Sequence, residues 1–136
     1  MSRTLLICKP DAVERGLVGK IVDRIESKGL RIVAATLRPI TEAEAKEHYA
    51  EHAERPFYGE LVSFITRSPS FLLVVEGPED TWKIVRTLMG PTNPADAPPG
   101  TIRGDFGTAV GENLVHGSDA EASAQREVNL FFPELP

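Results

Sequence analysis

Phe71-Leu72-Leu73-Val74-Val75 is an unbroken apolar run, and it reads as a strand buried on both faces and therefore central in its sheet. Upstream, Leu5-Leu6-Ile7-Cys8 is a second short apolar run, closed by Lys9-Pro10-Asp11, and reads as another buried strand. Val18, Ile21, Val22 and Ile25 recur at i, i+3, i+4 and i+7, one face of a helix that Lys28-Gly29 ends with a cation and a glycine stop. Leu30 to Leu37 is aliphatic and stops at Arg38-Pro39, which predicts a strand. Thr41-Glu42-Ala43-Glu44 matches a capping box and opens a helix through about Tyr49, and a short helix follows Pro56 over Gly59 to Thr66. Downstream, Pro78-Glu79-Asp80 starts a helix that turns Trp82, Val85, Leu88 and Met89 inward. Asn113 to His116 is a short fourth strand. Ser118-Asp119-Ala120-Glu121 is a second capping box, opening a helix to about Glu127, and the tail Leu130-Phe131-Phe132-Pro133 packs back on the body.

Strands thus alternate with helices. The order fits an α/β (α+β) chain with a ferredoxin-like βαββαβ four-stranded antiparallel sheet and additional helices. A doubly wound parallel sheet stays open as the alternative, because strand order is not readable from the pattern. A length of 136 residues fits one domain, 1–136. No apolar run approaches the ~20 residues that span a bilayer, and the first residues lack the apolar stretch of a signal peptide. Cys8, the only cysteine, has no partner for an intrachain disulfide and sits in an apolar run as a small core residue. The expectation is a cytoplasmic protein without a membrane partner. A net charge of −5 argues against a general nucleic-acid binder but not against a small anion met by a few converging cations.

Gly90 to Gly107 holds four of the eleven prolines and four of the eleven glycines, and it reads as one long irregular stretch. Loops of that length inside a compact domain are usually functional. With Thr92, Arg103 and Asp105 among small residues, it is a candidate ligand clamp.

Three motifs fail on inspection. Gly16-Leu17-Val18-Gly19-Lys20-Ile21 ends like a phosphate-binding loop, but its glycines are too close and Ile21 replaces the required Ser/Thr. Glycines 100, 104, 107 and 111 do not fit G-x-G-x-x-G. His48-Tyr49-Ala50-Glu51-His52 spells the inverted zinc-protease motif. A catalytic zinc needs a third ligand, and the charged neighbours Lys46, Glu47, Glu51, Glu54 and Arg55 make this stretch a solvated helix face.

His116 stands at the end of a short apolar strand, followed by Gly117, Ser118 and Asp119. A glycine there removes bulk and permits unusual dihedrals. Ser118 as a cap would place helix amides where an anion binds. Glu127, near three turns along that helix, is positioned to accept a hydrogen bond from one ring nitrogen, fixing the tautomer and making the other nitrogen the better nucleophile. An ordinary imidazole is mostly neutral at pH 7, as a nucleophile must be.

Asn113-Leu114-Val115-His116-Gly117-Ser118-Asp119 resembles the active-site signature N-x-x-H-[GA]-S-D of the nucleoside diphosphate kinases. Ile7 to Val13, Arg15 to Gly19, His48-Tyr49, Arg55 to Tyr58, Gly90 to Asp96 and Pro99 to Phe106 are similar to further family segments and fall in family order. The resemblance runs from about Arg3 to Phe132. It implies transfer of a γ-phosphate from a nucleoside triphosphate to a diphosphate, by a ping-pong route through phosphorylated His116 and with broad base specificity. By position, Lys9, Tyr49, Arg86, Thr92, Arg103 and Asn113 match the residues around phosphates and sugar, and Phe57 matches the aromatic under the base. Ser118 and Glu127 match the partners that orient the histidine. The resemblance also implies Mg²⁺ carried mainly by the nucleotide phosphates, with Asp119 near it through water and no metal site of the protein's own. It implies a homohexamer, or a homotetramer as alternative, and no specific nucleic-acid partner.

The physics of phosphoryl transfer suits such a set. Charge spreads over three oxygens of a loose transition state, so cations and positioning do most of the work. The chain departs from the family at Arg67-Ser68-Pro69-Ser70, expected to alter a surface turn away from the nucleotide, and at Glu112, a negative charge beside the signature that would weaken phosphate binding slightly. The rival expectation is a nucleotide-sensing or interaction module that keeps the fold without turnover.

Overall fold

A computed structural model describes residues 1–136. Four strands, β1 (Ser2–Cys8), β2 (Arg31–Arg38), β3 (Ser70–Gly77) and β4 (Val115–Gly117), form one sheet in the order β2-β3-β1-β4. Every pairing is antiparallel, which rules out the doubly wound alternative. The helices are α1 (Pro10–Glu14), α2 (Val18–Ser27), α3 (Glu42–His48), α4 (Tyr58–Thr66), α5 (Thr81–Met89), α6 (Ile102–Phe106) and α7 (Glu121–Phe131), with 3₁₀ turns at Ala50–His52 and Pro94–Asp96. The ferredoxin-like arrangement with additional helices is therefore the observed fold. None of its helices is long and apolar enough to cross a membrane.

The two central strands carry unbroken apolar runs, Leu5 to Cys8 and Phe71 to Val75, because they feed two cores. Leu6, Cys8, Leu73 and Val75 pack with Ile21, Ile25, Val85, Met89 and Ile102 on one face. Their alternate neighbours Leu5, Ile7, Leu72 and Val74 pack with Ile65, Val128, Phe131 and Phe132 on the other. Period-two alternation across a sheet covered on both sides gives this result, each fully buried aliphatic side chain contributing about 1.5–3 kcal/mol. The tail does pack back through Phe131 and Phe132. Cys8 is fully buried, and burial pushes its thiol up to about 12, so it is an inert core residue.

Some local expectations are corrected. Pro10 does not merely close β1. It opens α1 from the first turn, where its missing N–H leaves no bond unmade. The stretch from Gly90 to Gly107 is not wholly irregular, since Thr101 caps α6 by accepting from the Gly104 amide. The capping box at Thr41/Glu44 forms in both directions. The one expected at Ser118/Glu121 does not, because α7 starts at Glu121 behind Ala120 and Ser118 is bonded elsewhere.

Candidate active site

The C-terminal end of β1, the β4 segment and the ends of α3, α4 and α5 surround a cavity of about 580 Å³. Its walls are stitched by side chains that bond main chain across long stretches of sequence. Asp11, 2% exposed, accepts the amide of Leu114 through Oδ2 at 3.0 Å. That contact fixes Leu114, one of two non-glycine residues with positive φ. Arg103, also buried, donates to three carbonyls: Nε to Asn113 at 3.0 Å, Nη1 to Gly90 at 2.9 Å and Nη2 to Val115 at 2.7 Å. Asn113 donates to the Thr92 carbonyl at 2.9 Å and accepts from Lys9 Nζ. Burial pushes Lys9 down to about 8, Asp11 opposing and Arg103 adding to the shift, and burial with Arg86 pushes Arg103 down to about 10.

His116 enters from β4. Its Nε2 lies 2.9 Å from Glu127 Oε1, and Ser118 Oγ donates to the same oxygen at 2.8 Å. The carboxylate assigns the Nε2–H tautomer and leaves Nδ1 without a protein partner. Burial pushes the Glu127 carboxyl up, but its bonds to His116 and Ser118 and the nearby imidazoles hold it below the usual range. Gly117 is needed for its lack of bulk, as expected, but not for an unusual dihedral, since its φ is not positive. A Cβ there would lie 2.6 Å from Met89 Sδ, so glycine lets α5 pack against β4. Arg86 on α5 then reaches the Gly117 carbonyl at 2.9 Å.

Lys9, Tyr49, Phe57, Arg86, Thr92, Arg103, Asn113 and His116 all line the one cavity. Ser118 and Glu127 sit behind His116, out of the lining. Phe57, 42% exposed, stands at the mouth. Burial and the Glu127 charge push Tyr49 up to about 12, so it remains a phenol. Asp105 does not join the clamp predicted around it. It pairs with Arg24 and accepts from the Gly100 amide, which anchors the turn before α6. Asp119 also lies outside the lining and accepts from Ser123.

The largest correction concerns His48. It does not belong to a solvated helix face: it is 4% exposed, and its ring stands 4.6 Å from that of His116, nearly perpendicular to it. Burial, then His116, pushes its pKa down to about 3. The sequence signal was Ala45 and His48 at i, i+3 on a short helix, both buried. Other side chains of the site were also missed. His52 and Phe64 line the cavity, Asp11 holds Leu114, and the Arg67 turn reaches the cavity's rim through Glu112.

Two groupings invite a metal. Donor atoms of His48, His116 and Glu127 lie within 4.8 Å of one another. The carboxylate oxygen is already bonded to His116 and Ser118, and Arg126 and Lys9 add positive charge nearby, so the cluster is built around a hydrogen-bonded imidazole. In the cavity, the lining carboxylates are Glu60 and Glu112, the latter paired with Arg67. Mg²⁺ wants six oxygens, and this set of three cations and few carboxylates suits an anion that brings its own counter-ion.

A family model described as Nucleoside diphosphate kinase matches residues 2–136. The chain is 56% identical over 134 residues to the Nucleoside diphosphate kinase of Staphylococcus haemolyticus, covering 98% of this chain and 89% of that protein. It is 55% identical over 133 residues to the one of Parafrankia sp., covering 98% and 96%. Among solved structures, it is similar to a halophilic nucleoside diphosphate kinase from Halobacterium salinarum in complex with CDP, with a TM-score of 0.94, 52% identity, and 98% and 88% of the two chains covered. A nucleoside diphosphate kinase family protein from Babesia bovis superposes with a TM-score of 0.95 at 45% identity, covering 98% and 90%.

Proposed function

Because the chain belongs to the nucleoside diphosphate kinase family, we propose that it moves the γ-phosphate of a nucleoside triphosphate to a diphosphate through Nδ1 of His116. The observation that carries this is the bond from Nε2 to Glu127 at 2.9 Å beside a cavity lined by Lys9, Arg86 and Arg103. With its proton on Nε2, the neutral imidazole offers the Nδ1 lone pair to the γ-phosphorus. The P–N bond forms as the bond to the β-phosphate oxygen breaks, and the diphosphate leaves with that electron pair. Positive charge grows on the ring, and Glu127, held by Ser118, stabilises it without taking the proton. A second diphosphate then attacks the same phosphorus in the same pocket, giving ping-pong kinetics.

Lys9, Arg86 and Arg103 meet the phosphate oxygens, and Thr92, Asn113 and Tyr49 supply donors around them and the sugar. Mg²⁺ held by the phosphates neutralises part of their charge when bound. Phe57 stacks under the base, and stacking accepts any base because each has a π-face. The CDP complex of the Halobacterium relative supports pyrimidine use here as well. Residues 1–136 act as one catalytic unit. On the resemblance to the family we assign a cytoplasmic homohexamer, with a homotetramer as alternative; native mass spectrometry separates the two.

Intact mass after incubation with ATP and Mg²⁺ tests the reaction. A single acid-labile phosphoryl group of about 80 Da, discharged by GDP and absent from His116→Asn, is expected. No label, or one that GDP cannot remove, would return the protein to the nucleotide-sensing reading.

A further inference from the structure

Arg67 stands at the end of α4, as its C-cap. Its guanidinium lies over the Phe64 ring at 4.7 Å, and Lys9 Nζ is 5.6 Å from the same ring centre. Through Nε (3.1 Å) and Nη2 it donates to both carboxylate oxygens of Glu14 at the end of α1. Through Nη1 it donates to Glu112 at 3.1 Å. Ser68 adds a further bond to Glu14. One side chain therefore ties together the end of α1, the end of α4 and the loop that leads into Asn113. Phe64 and Glu112 line the cavity, whereas Arg67 lies outside it.

The consequence is electrostatic. Glu112 is one of two carboxylates, with Glu60, in the wall of a cavity that also carries Lys9, Arg86 and Arg103, and it is next in sequence to the asparagine that bonds Lys9. Left without a counter-charge, it would oppose any ligand bearing several phosphate charges. Arg67 supplies that counter-charge from behind the wall, taking no room from a ligand. We propose that Arg67 is a positioning residue for nucleotide affinity: it neutralises Glu112, holds it against α4, and so keeps the cavity attractive to polyphosphates. The inference rests on the cavity being the nucleotide site.

Affinity for ADP, measured by titration calorimetry, and steady-state exchange test it in Arg67→Met, Glu112→Gln and the double variant. Methionine keeps an apolar stem over Phe64 and removes the charge. Arg67→Met should weaken ADP binding and raise KM by about two- to fivefold, the range an exposed ion pair supports. kcat should stay within about twofold, since the loss is of uniform binding. Adding Glu112→Gln should restore both affinity and KM, and raised salt should shrink the difference. Unchanged affinity in Arg67→Met, or an equal loss in the double variant, would overturn the proposal. A wild-type protein that binds ADP but exchanges no phosphate would instead defeat the kinase reading, and the affinity series would still decide the part played by Arg67.

Discussion

The two segments that bring histidines to the site are built in opposite ways. From β4 into α7, His116 is held by polar contacts, with Glu127 on Nε2, Ser118 on Glu127, and Arg103 on the carbonyls of Asn113 and Val115. At the end of α3, His48 is held by packing alone. It sits among Tyr49, His116 and Phe131, and neither ring nitrogen has a partner. Leaving a buried polar group unbonded costs on the order of 1–3 kcal/mol. The fold tolerates that at His48 because the ring stays neutral and acts as an apolar wall. One segment orients the imidazole proposed to take the phosphoryl group, and the other shields it.

That division can be broken most decisively by exchanging the two roles. His116→Asn should abolish the phosphoenzyme and lower exchange by about 10⁴-fold or more. His48→Phe should still take up the phosphoryl label in intact-mass measurements, and a His48→Phe protein that accepts none would end the distinction. Next in size is the stitching of the β4 segment. Arg103→Met strips three carbonyls of their donor and should lower the unfolding free energy by about 3–5 kcal/mol in urea titrations.

Acid sharpens the contrast further. The folded pKa of His48 is about 3 against 6.5 for the free side chain, so the folded state binds fewer protons between those values. Stability should therefore fall as pH drops from about 6.5 towards 3, by up to about 1.4 kcal/mol per pH unit. His48→Phe should flatten that slope. The smallest effect lies on the alkaline side. Lys9, pushed down by burial from 10.5 to about 8, loses its charge as pH rises through that value. KM for a diphosphate should then rise by up to about tenfold per pH unit, a rise that Lys9→Arg removes. Stability moves the other way over that window, because the folded state again binds fewer protons than the unfolded chain.

The same contrast explains what the sequence revealed. Strands β1 and β3 were legible because burial on both faces leaves an unbroken apolar run, and α2 because its stripe has helical period. The His116 segment was legible because Asn113 to Asp119 matches a family signature that fixes the order of residue types over a few positions. His48 was not, since its burial depends on α3 meeting β4 and α7, and charged neighbours in its own segment point the other way. Ser118 was half legible: it does act on its neighbourhood, but by bonding Glu127 across the site rather than by capping its own helix. The Arg67 turn was read as remote because nothing local announces that Glu112 will come to lie beside it.

The bond from Lys9 to Asn113 spans 104 residues, and the histidine is not complete until Glu127 has arrived. The proposed phosphate cradle therefore cannot exist in a fragment that stops short of Asn113, nor its oriented histidine in one that stops short of Glu127. During synthesis the chain would stay blind to nucleotide until the segment around Glu127 has been made, so copies that stop short of it would not sequester ATP. During refolding, the onset of ADP binding should coincide with docking of the three-residue strand β4 on β1, the strand pairing of greatest sequence separation and hence of slow closure. Nucleotide capture thus serves as a clock for the end of folding.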